Sequence, residues 1–232
     1  MASRIPPPDR GIEAIGEGTA LPVFSASVRE LAEYGWRQGD LDSRRFSAVR
    51  AIEGIRAHQA IQQSRPEDYH VEDRVQCEHP TNVLTLKIHG RVDGWYLDDA
   101  GHLVVEEIKT TRRSSDKIGP AWPEHRAQAM LYAALLLTDD MPDAIEVRVV
   151  YFSLPEQREV HRGEIISRAD LNTFFLETIT TYTTWLETLL QWQITRNASL
   201  EDLAFPYPEI RPGQDEMIAA IEEAVTEKQR LL

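Results

Sequence analysis

The sequence predicts an α/β protein with a mixed central sheet of about five strands flanked by helices. Two observations predict this class. Runs rich in β-branched and aromatic residues alternate with longer segments whose apolar residues recur at the helical period. Their order is helix, three strands, helix, two strands, helix, and no internal repeat is present.

The first elements follow a segment without periodicity. Residues 1–24 are rich in Pro and Gly and are interpreted as a flexible tail. Ser27 followed by Glu30 has the spacing of a capping box, which predicts a short helix to about Arg37. The apolar residues of 43–63 recur near the helical period and predict a longer helix.

Three strands are expected next, over 71–77, 83–96 and 102–110. The Asp-Asp-Ala-Gly run at 98–101 is typical of a hairpin turn and would join the last two strands. A polar, basic loop over 111–122 follows them.

The second half repeats the alternation of helix and strand. The segment 124–137 is apolar on several faces and predicts a buried helix. Strands over 145–154 and 157–165 should form a hairpin. A capped helix runs from 167 to about 195, and a last helix spans 215 to about 228.

Composition limits the function classes. The chain has 232 residues, of which 42% are hydrophobic and 27% charged, as in ordinary globular proteins. A single cysteine, Cys77, excludes an internal disulfide and a four-cysteine metal site. No run is long enough to span a membrane, and a reducing, cytoplasmic compartment is expected. The net charge of −13 disfavours a general electrostatic grip on DNA but not a local basic groove.

Two carboxylates and a lysine are predicted to converge. Glu107 and Lys109 are alternate residues of one strand and therefore share a face. The hairpin would place Asp93 beside them. This set suits phosphodiester hydrolysis, because Mg²⁺ is typically held by one or two carboxylates plus substrate phosphate. Gln128 and Tyr132 are four residues apart on the buried helix and share a face that can orient the lysine, a water or the DNA backbone.

Each of these residues also has an ordinary structural explanation. Asp93 precedes a glycine and is compatible with a simple turn, and Glu107 with Lys109 is compatible with an ordinary charge pair. A histidine near an apolar stripe, such as His58, is more often a core or surface residue than a ligand. The order and spacing of the whole set are more specific than any one member.

The segment from Glu53 to Tyr132 resembles the PD-(D/E)xK nuclease superfamily, most closely its RecB/Cas4-like branch. In that branch a helix carries a histidine, here His58. A Gly-Arg-x-Asp strand follows at 90–93, then Glu-x-Lys at 107–109, and then Gln-x-x-x-Tyr at 128–132.

The resemblance implies a restriction-endonuclease-like core over 25–200 and Mg²⁺- or Mn²⁺-dependent cleavage of DNA. The metal ligands that it implies are His58, Asp93 and Glu107. The catalytic residues that it implies are Asp93, Glu107, Lys109, Gln128 and Tyr132. Several members hold an iron–sulfur cluster on four cysteines, and with one cysteine this chain is expected to have no cluster.

The segment 205–217, FPYPEIRPGQDEM, looks like the opening Q-motif region of XPD/DinG-like superfamily 2 helicases. In such helicases Gln214 would contact adenine. The chain contains no phosphate-binding loop, so 201–232 is expected to be the start of a helicase domain that this chain does not complete. The alternative is a proline-rich linker followed by a helix.

The main hypothesis is a metal-dependent deoxyribonuclease that acts on single-stranded or flapped DNA in repair or recombination, with a helicase domain in cis. A second hypothesis is a non-cleaving module of the same fold that guides an attached helicase. In either, the expected phosphate contacts come from Arg112, Arg113, Lys117 and Arg126. A third hypothesis is an unrelated acidic interaction domain.

Overall fold

The computed structural model describes the greater part of the chain. The described residues are 21–39, 48–139, 141, 143–201, 203–204 and 207–227. Two compact units are present, Met1–Leu189 and Leu190–Leu232. Most of the predicted tail, 1–24, lies outside the described residues.

The described residues form eight strands and five helices. The strands are β1 (Val23–Ser27), β2 (His70–Val71), β3 (Arg74–Pro80), β4 (Thr85–Arg91), β5 (Gly94–Leu97), β6 (Leu103–Thr111), β7 (Ala144–Ser153) and β8 (Arg158–Ser167). The helices are α1 (Val28–Trp36), α2 (Ala48–Gln63), α3 (Pro123–Leu136), α4 (Arg168–Glu201) and α5 (Gln214–Thr226).

The central sheet has five strands in the order β2-β5-β6-β7-β8. β6 and β7 run parallel and are joined by the crossover helix α3, while the other neighbours pair antiparallel. A parallel pair needs such a crossover connection, and α3 packs back onto the sheet that it connects. The predicted fold class, a mixed sheet of five strands flanked by helices, is confirmed.

A second, three-stranded sheet was not predicted. It has the order β1-β4-β3, with β1 parallel and β3 antiparallel to β4. The continuous strand expected over 83–96 is wrong, because it breaks at Val92 and Asp93 into β4 and β5, which belong to different sheets. Val23 and Phe24, assigned to the tail from sequence, are the first residues of β1.

Strand β6 is buried on both faces, which explains its nearly continuous apolar sequence. On one face Leu103 and Val105 belong to the main core together with the buried face of α3. On the other face Ile108 packs with Ala57 and Ile61 of α2. The two glutamates among its first six residues, Glu106 and Glu107, therefore lie in a buried environment.

The hairpin between β5 and β6 turns where the sequence predicts. The carboxylate of Asp98 accepts hydrogen bonds from the backbone N–H groups of Ala100 and His102, at 2.9 and 2.7 Å. Gly101 has a φ of 82°, the left-handed conformation that glycine adopts without strain. The turn fixes the register in which Gly94 lies opposite Glu106.

Helix α4 is the longest described element, with 34 residues. Its threonines donate hydroxyl hydrogen bonds to the carbonyl groups four residues earlier, as Thr178 does to Phe174 at 2.9 Å. Among the described residues no helix is both long enough and apolar enough to cross a membrane.

Candidate active site

Asp93 lies in the break between β4 and β5 and is held by two neighbouring elements. Its backbone carbonyl accepts a hydrogen bond from the Gln62 side-chain amide of α2 at 2.9 Å. Its carboxylate Oδ2 accepts one from the backbone N–H of Ile108 in β6 at 2.8 Å. The other carboxylate oxygen, Oδ1, lies 3.9 Å from Nδ1 of His58. The carboxylate is therefore fixed beside β6 with one oxygen on the side of His58.

Glu107 is a buried carboxylate with one oxygen left unsatisfied. Its side chain is 2% exposed, and Oε1 lies 2.6 Å from Nζ of Lys109. Oε2 is buried and has no hydrogen-bond partner among the described residues. Burial and the nearby charge of Asp93 raise the pKa of Glu107 to about 7. A buried oxygen without a partner is costly, so this arrangement favours a cation at Oε2.

Lys109 is connected to the two residues of α3 that the sequence singled out. Its Nζ donates a hydrogen bond to Oε1 of Gln128 at 3.1 Å. The side chain of Gln128 and the backbone N–H of Arg91 interact with the Tyr132 hydroxyl and act to lower its pKa. Burial and the charge of Glu107 raise the pKa of Tyr132 to about 12, so the hydroxyl stays neutral at physiological pH. The predicted grouping of these side chains with Glu107 is thus present.

His58 reaches the site from α2. Burial lowers the pKa of His58, which favours the neutral imidazole, the form that ligates metals. Gln62, which holds the Asp93 carbonyl, lies one helical turn further along the same helix. Sequence reasoning missed Gln62, although its spacing of four from His58 places both on one helix face.

The candidate ligands for a divalent cation are the side chains of Asp93, Glu107 and His58. The part of the chain that the structure describes holds no group of three or more His, Cys, Asp or Glu side chains arranged for a metal. The charge of Asp93 nevertheless acts on Glu107, and Mg²⁺ typically needs only one or two carboxylates, completed by waters and phosphate. The unsatisfied Oε2 of Glu107 fits such a cation. The residues present therefore suit a two-carboxylate site with His58 beside it.

A second buried glutamate, Glu106, differs from Glu107 in that both of its carboxylate oxygens have partners. It is 1% exposed and lies on the other face of β6. Its two carboxylate oxygens are held by Arg65 at 2.9 Å, Arg148 at 2.9 Å and the Tyr69 hydroxyl at 3.0 Å. The charge of Glu106 is therefore compensated within the fold, whereas the neighbouring Glu107 has one carboxylate oxygen without a hydrogen-bond partner.

Two of the four predicted DNA-binding residues lie in ion pairs. Arg112 pairs with Glu53 of α2, and Arg126 pairs with Glu164 of β8. Each cation is partly neutralised by its carboxylate, which weakens its attraction for phosphate.

The other two lie in the loop between β6 and α3. Arg113 lines a cavity of about 480 Å³ that Lys109 also lines. Lys117 ends a short 3₁₀ turn, Ser115–Lys117, in the same loop. Of the four predicted cations, Arg113 is therefore the one that shares a described cavity with Lys109.

Gln214 lies in the second unit, at the start of α5. Its side-chain Oε1 accepts a hydrogen bond from the backbone N–H of Arg211 at 2.8 Å. Gly213 precedes it with a φ of 85°. The Gln214 side chain thus hydrogen-bonds the backbone of the turn that precedes α5. An adenine contact by Gln214 stays a prediction.

Comparisons with known proteins identify the family of this chain. The family model of the PD-(D/E)XK nuclease superfamily matches residues 13–215. One solved structure, that of SSO0001, is similar over 68% of this chain and 76% of its own, at 20% identity and a TM-score of 0.44. No curated protein matches the chain.

The chain belongs to the PD-(D/E)XK nuclease superfamily. Members are generally nucleases, and they usually use divalent metals such as Mg²⁺. The family predicted from the four motifs is confirmed. Its RecB/Cas4-like branch and the association with a helicase stay predictions.

Proposed function

We propose that this chain is a divalent-metal-dependent deoxyribonuclease that hydrolyses phosphodiester bonds of single-stranded or flapped DNA in repair or recombination. The observation that carries the proposal is the buried Glu107 oxygen without a partner, beside Asp93 and in contact with Lys109. A fold that only binds DNA needs no such arrangement, because an unsatisfied buried carboxylate oxygen destabilises the protein.

The chemistry follows from the placement of three side chains. Asp93 and Glu107 would hold Mg²⁺ or Mn²⁺, with His58 as a further ligand. Such an ion, when bound, supplies Lewis-acid polarisation of the phosphate and a water of lowered pKa. An ammonium has three N–H donors, and the contacts of Lys109 with Glu107 and Gln128 use two of them. The third would donate to a phosphate oxygen as negative charge builds there.

The test is cleavage of end-labelled single-stranded DNA with Mg²⁺, with Mn²⁺ and with EDTA. We expect metal-dependent products from the wild-type chain and none from Glu107→Gln. The matched control is Glu106→Gln, the same change one residue earlier on the other face of β6. That variant should cleave at temperatures where it remains folded.

Absence of metal-dependent cleavage would favour one of the two alternative functions. A folded wild-type chain that binds DNA with a steep salt dependence but gives no products with either metal would contradict the nuclease proposal. It would favour the non-cleaving binding module instead. Binding of neither DNA nor a divalent metal would favour the acidic interaction domain.

We also propose that 201–232 begins a helicase domain acting in cis with the nuclease. The support is the Pro-rich run leading to Gln214 in a Q-motif-like sequence. The full natural coding sequence tests this. A Gly-x-x-x-x-Gly-Lys-[Ser/Thr] loop a short distance after Gln214 would support the helicase, and a full sequence without such a loop would contradict it.

A further inference from the structure

The cavity that adjoins Lys109 is rich in aromatic groups. Trp122 and His125 both line it, with ring centroids 5.9 Å apart and planes at 17°. The guanidinium carbon of Arg113 lies 5.5 Å from the centre of the Trp122 ring. The volume of about 480 Å³ lies in the range of small-ligand pockets. Aromatic rings together with cations are the features that bind a base and its phosphate in single strands.

The loop that supplies Arg113 and Trp122 is anchored to the sheet. Arg162 of β8 donates hydrogen bonds to the carbonyl groups of Ile118 at 2.7 Å and Gly119 at 2.8 Å. The hydroxyl of Ser153 donates to the carbonyl of Arg113 at 2.9 Å. A fixed loop binds a ligand without first losing conformational freedom.

The hydroxyl of Tyr151 fixes the aromatic groups themselves. It accepts a hydrogen bond from the backbone N–H of Trp122 at 2.9 Å and lies 2.9 Å from Nδ1 of His125. Burial raises the pKa of Tyr151, so the hydroxyl remains neutral. Tyr151 belongs to β7, so this strand holds the start of α3 and the rings of Trp122 and His125 in place.

The guanidinium of Arg113 lies over the face of the Trp122 ring. It is exposed, and a cation over an aromatic ring is held weakly at an exposed site. A base entering the cavity can displace the guanidinium from the Trp122 ring. The released Arg113 would then be placed to pair with the phosphate of the same nucleotide.

We propose that this cavity, the Trp122 pocket (Lys109, Arg113, Trp122, His125 and Tyr151), binds one unpaired base of a single-stranded nucleic acid. Because Lys109 borders both the pocket and the carboxylate pair, that base would belong to a nucleotide next to the phosphate undergoing cleavage. A base within a duplex would have to leave its stack and its partner before entering, which is costly. The proposal rests on the proposed nuclease function and identifies what selects unpaired ends and flaps as its substrates.

The test measures binding apart from cleavage. Fluorescence anisotropy in EDTA follows a labelled single-stranded oligodeoxynucleotide, its duplex, and a series carrying one abasic site at successive positions. Wild-type protein should bind the single strand more tightly than the duplex and lose affinity when the abasic site falls at one particular position. Trp122→Ala should weaken binding of the intact strand by roughly five- to a hundredfold and abolish the positional effect.

Two variants serve as controls. Trp122→Phe keeps a ring and should retain the positional effect that Trp122→Ala loses. Trp185→Ala removes a partly exposed tryptophan that packs against Tyr34 and Tyr182, away from the elements of the pocket, and should bind as wild type. If Trp122→Ala fails to fold, the abasic series on the wild-type protein still decides the question.

The outcomes separate this proposal from the nuclease proposal. Equal losses at every abasic position, equal affinity for duplex and single strand, or unchanged binding by folded Trp122→Ala would each overturn the pocket. Position-dependent binding without metal-dependent cleavage would support the pocket and contradict the nuclease. If the wild-type protein cleaves DNA and Trp122→Ala binds single-stranded DNA as tightly as wild type, the nuclease proposal is supported and the pocket proposal is contradicted.

Discussion

Gly90 and Tyr132 are packed so closely that a methyl group on Gly90 would lie 2.7 Å from the Tyr132 ring. The same methyl would lie 3.0 Å from a methyl of Val28. The glycine of the Gly-Arg-x-Asp strand is therefore required by the approach of α3 to β4. Its φ does not lie in the left-handed region, so backbone conformation is not the reason. This contact sets the distance between the strand that leads to Asp93 and the helix that carries Tyr132.

Gly90→Ala should therefore destabilise the protein by about 1–3 kcal/mol, the usual effect of an extra methyl in a packed core. Urea unfolding measures the change. Gly119→Ala is the matched control, because no atom lies within 4 Å of a methyl built there. In a Tyr132→Leu background the effect of Gly90→Ala should shrink, since the clashing ring atoms are gone. Strictly additive losses would contradict the assigned contact.

Glu107 should make the metal-free protein less stable as pH rises. Its pKa is raised from 4.5 to about 7 in the folded state, so the stability present below pH 4.5 is lost as pH passes through 7. The loss amounts to about 3 kcal/mol. Asp93, whose pKa burial also raises, adds to the same trend. Urea unfolding in EDTA from about pH 5 to 8 measures it.

The variant Glu107→Gln isolates this contribution, because it cannot ionise. Its stability should fall less with pH than that of the wild type. Mg²⁺ should raise the wild-type unfolding temperature more at about pH 8 than at pH 5, where Glu107 is protonated, and should raise that of the variant less. If the free energy of unfolding of the wild type and of Glu107→Gln changed equally with pH, ionisation of a buried Glu107 would be ruled out as the cause.

Glu106 should matter for stability and leave metal binding intact. Glu106→Gln removes the charge that pairs with Arg65 and Arg148, and breaking a buried pair costs about 3–5 kcal/mol. The lower end is expected, because these arginines keep Glu159 and Glu146 as second partners. Calorimetry with Mg²⁺ on the folded variant should show the wild-type affinity. A weakened affinity would place Glu106 in the metal site.

The parts of the site that depend on local patterns were predictable. Alternation along β6 placed Glu107 and Lys109 on one face, and helical spacing placed Gln128 and Tyr132 on another element's face. The hairpin turn followed from residues whose backbone preferences are local. These features hold because each is determined within a few residues of chain.

The second sheet was not predictable in this way. Strand β1 contains two serines and has a single fully buried residue, Ala26, so it lacks the alternation of a half-buried strand. It becomes a strand through parallel pairing with β4, far along the chain. The break before β5 depends on tertiary packing as well, since a methyl on Gly94 would lie 1.8 Å from the Tyr69 hydroxyl.

The ion-pair partners of the charged residues could not be predicted from the sequence either. Alternation placed Glu106 on the face of β6 opposite Glu107, but it did not show that two arginines neutralise Glu106 while Glu107 keeps an oxygen without a partner. The ion pairs of Arg112 and Arg126 join residues from distant segments. Such pairings depend on the folded arrangement of several elements, which spacing alone does not specify.

Gln128 should act as a positioning residue for Lys109. Its side chain accepts the hydrogen bond from Nζ and also contacts the Tyr132 hydroxyl. Gln128→Leu keeps a similar volume but leaves Lys109 held by Glu107 without its second partner. We expect kcat for single-stranded DNA to fall by roughly 10- to 100-fold, the usual effect of losing an outer contact to a catalytic group, with KM little changed.

Tyr132→Phe tests the far end of the same chain of contacts. The Tyr132 hydroxyl is neutral and contacts Gln128, which in turn contacts Lys109. Because the hydroxyl acts on Lys109 only through Gln128, removing the hydroxyl should lower kcat less than Gln128→Leu does. The pH–rate profile should keep its shape, since a pKa of about 12 lies above the assay range. A larger loss in Tyr132→Phe than in Gln128→Leu, or a lost limb of the profile, would instead make Tyr132 the group that contacts the substrate. Full activity of Gln128→Leu would show that Glu107 alone positions the lysine.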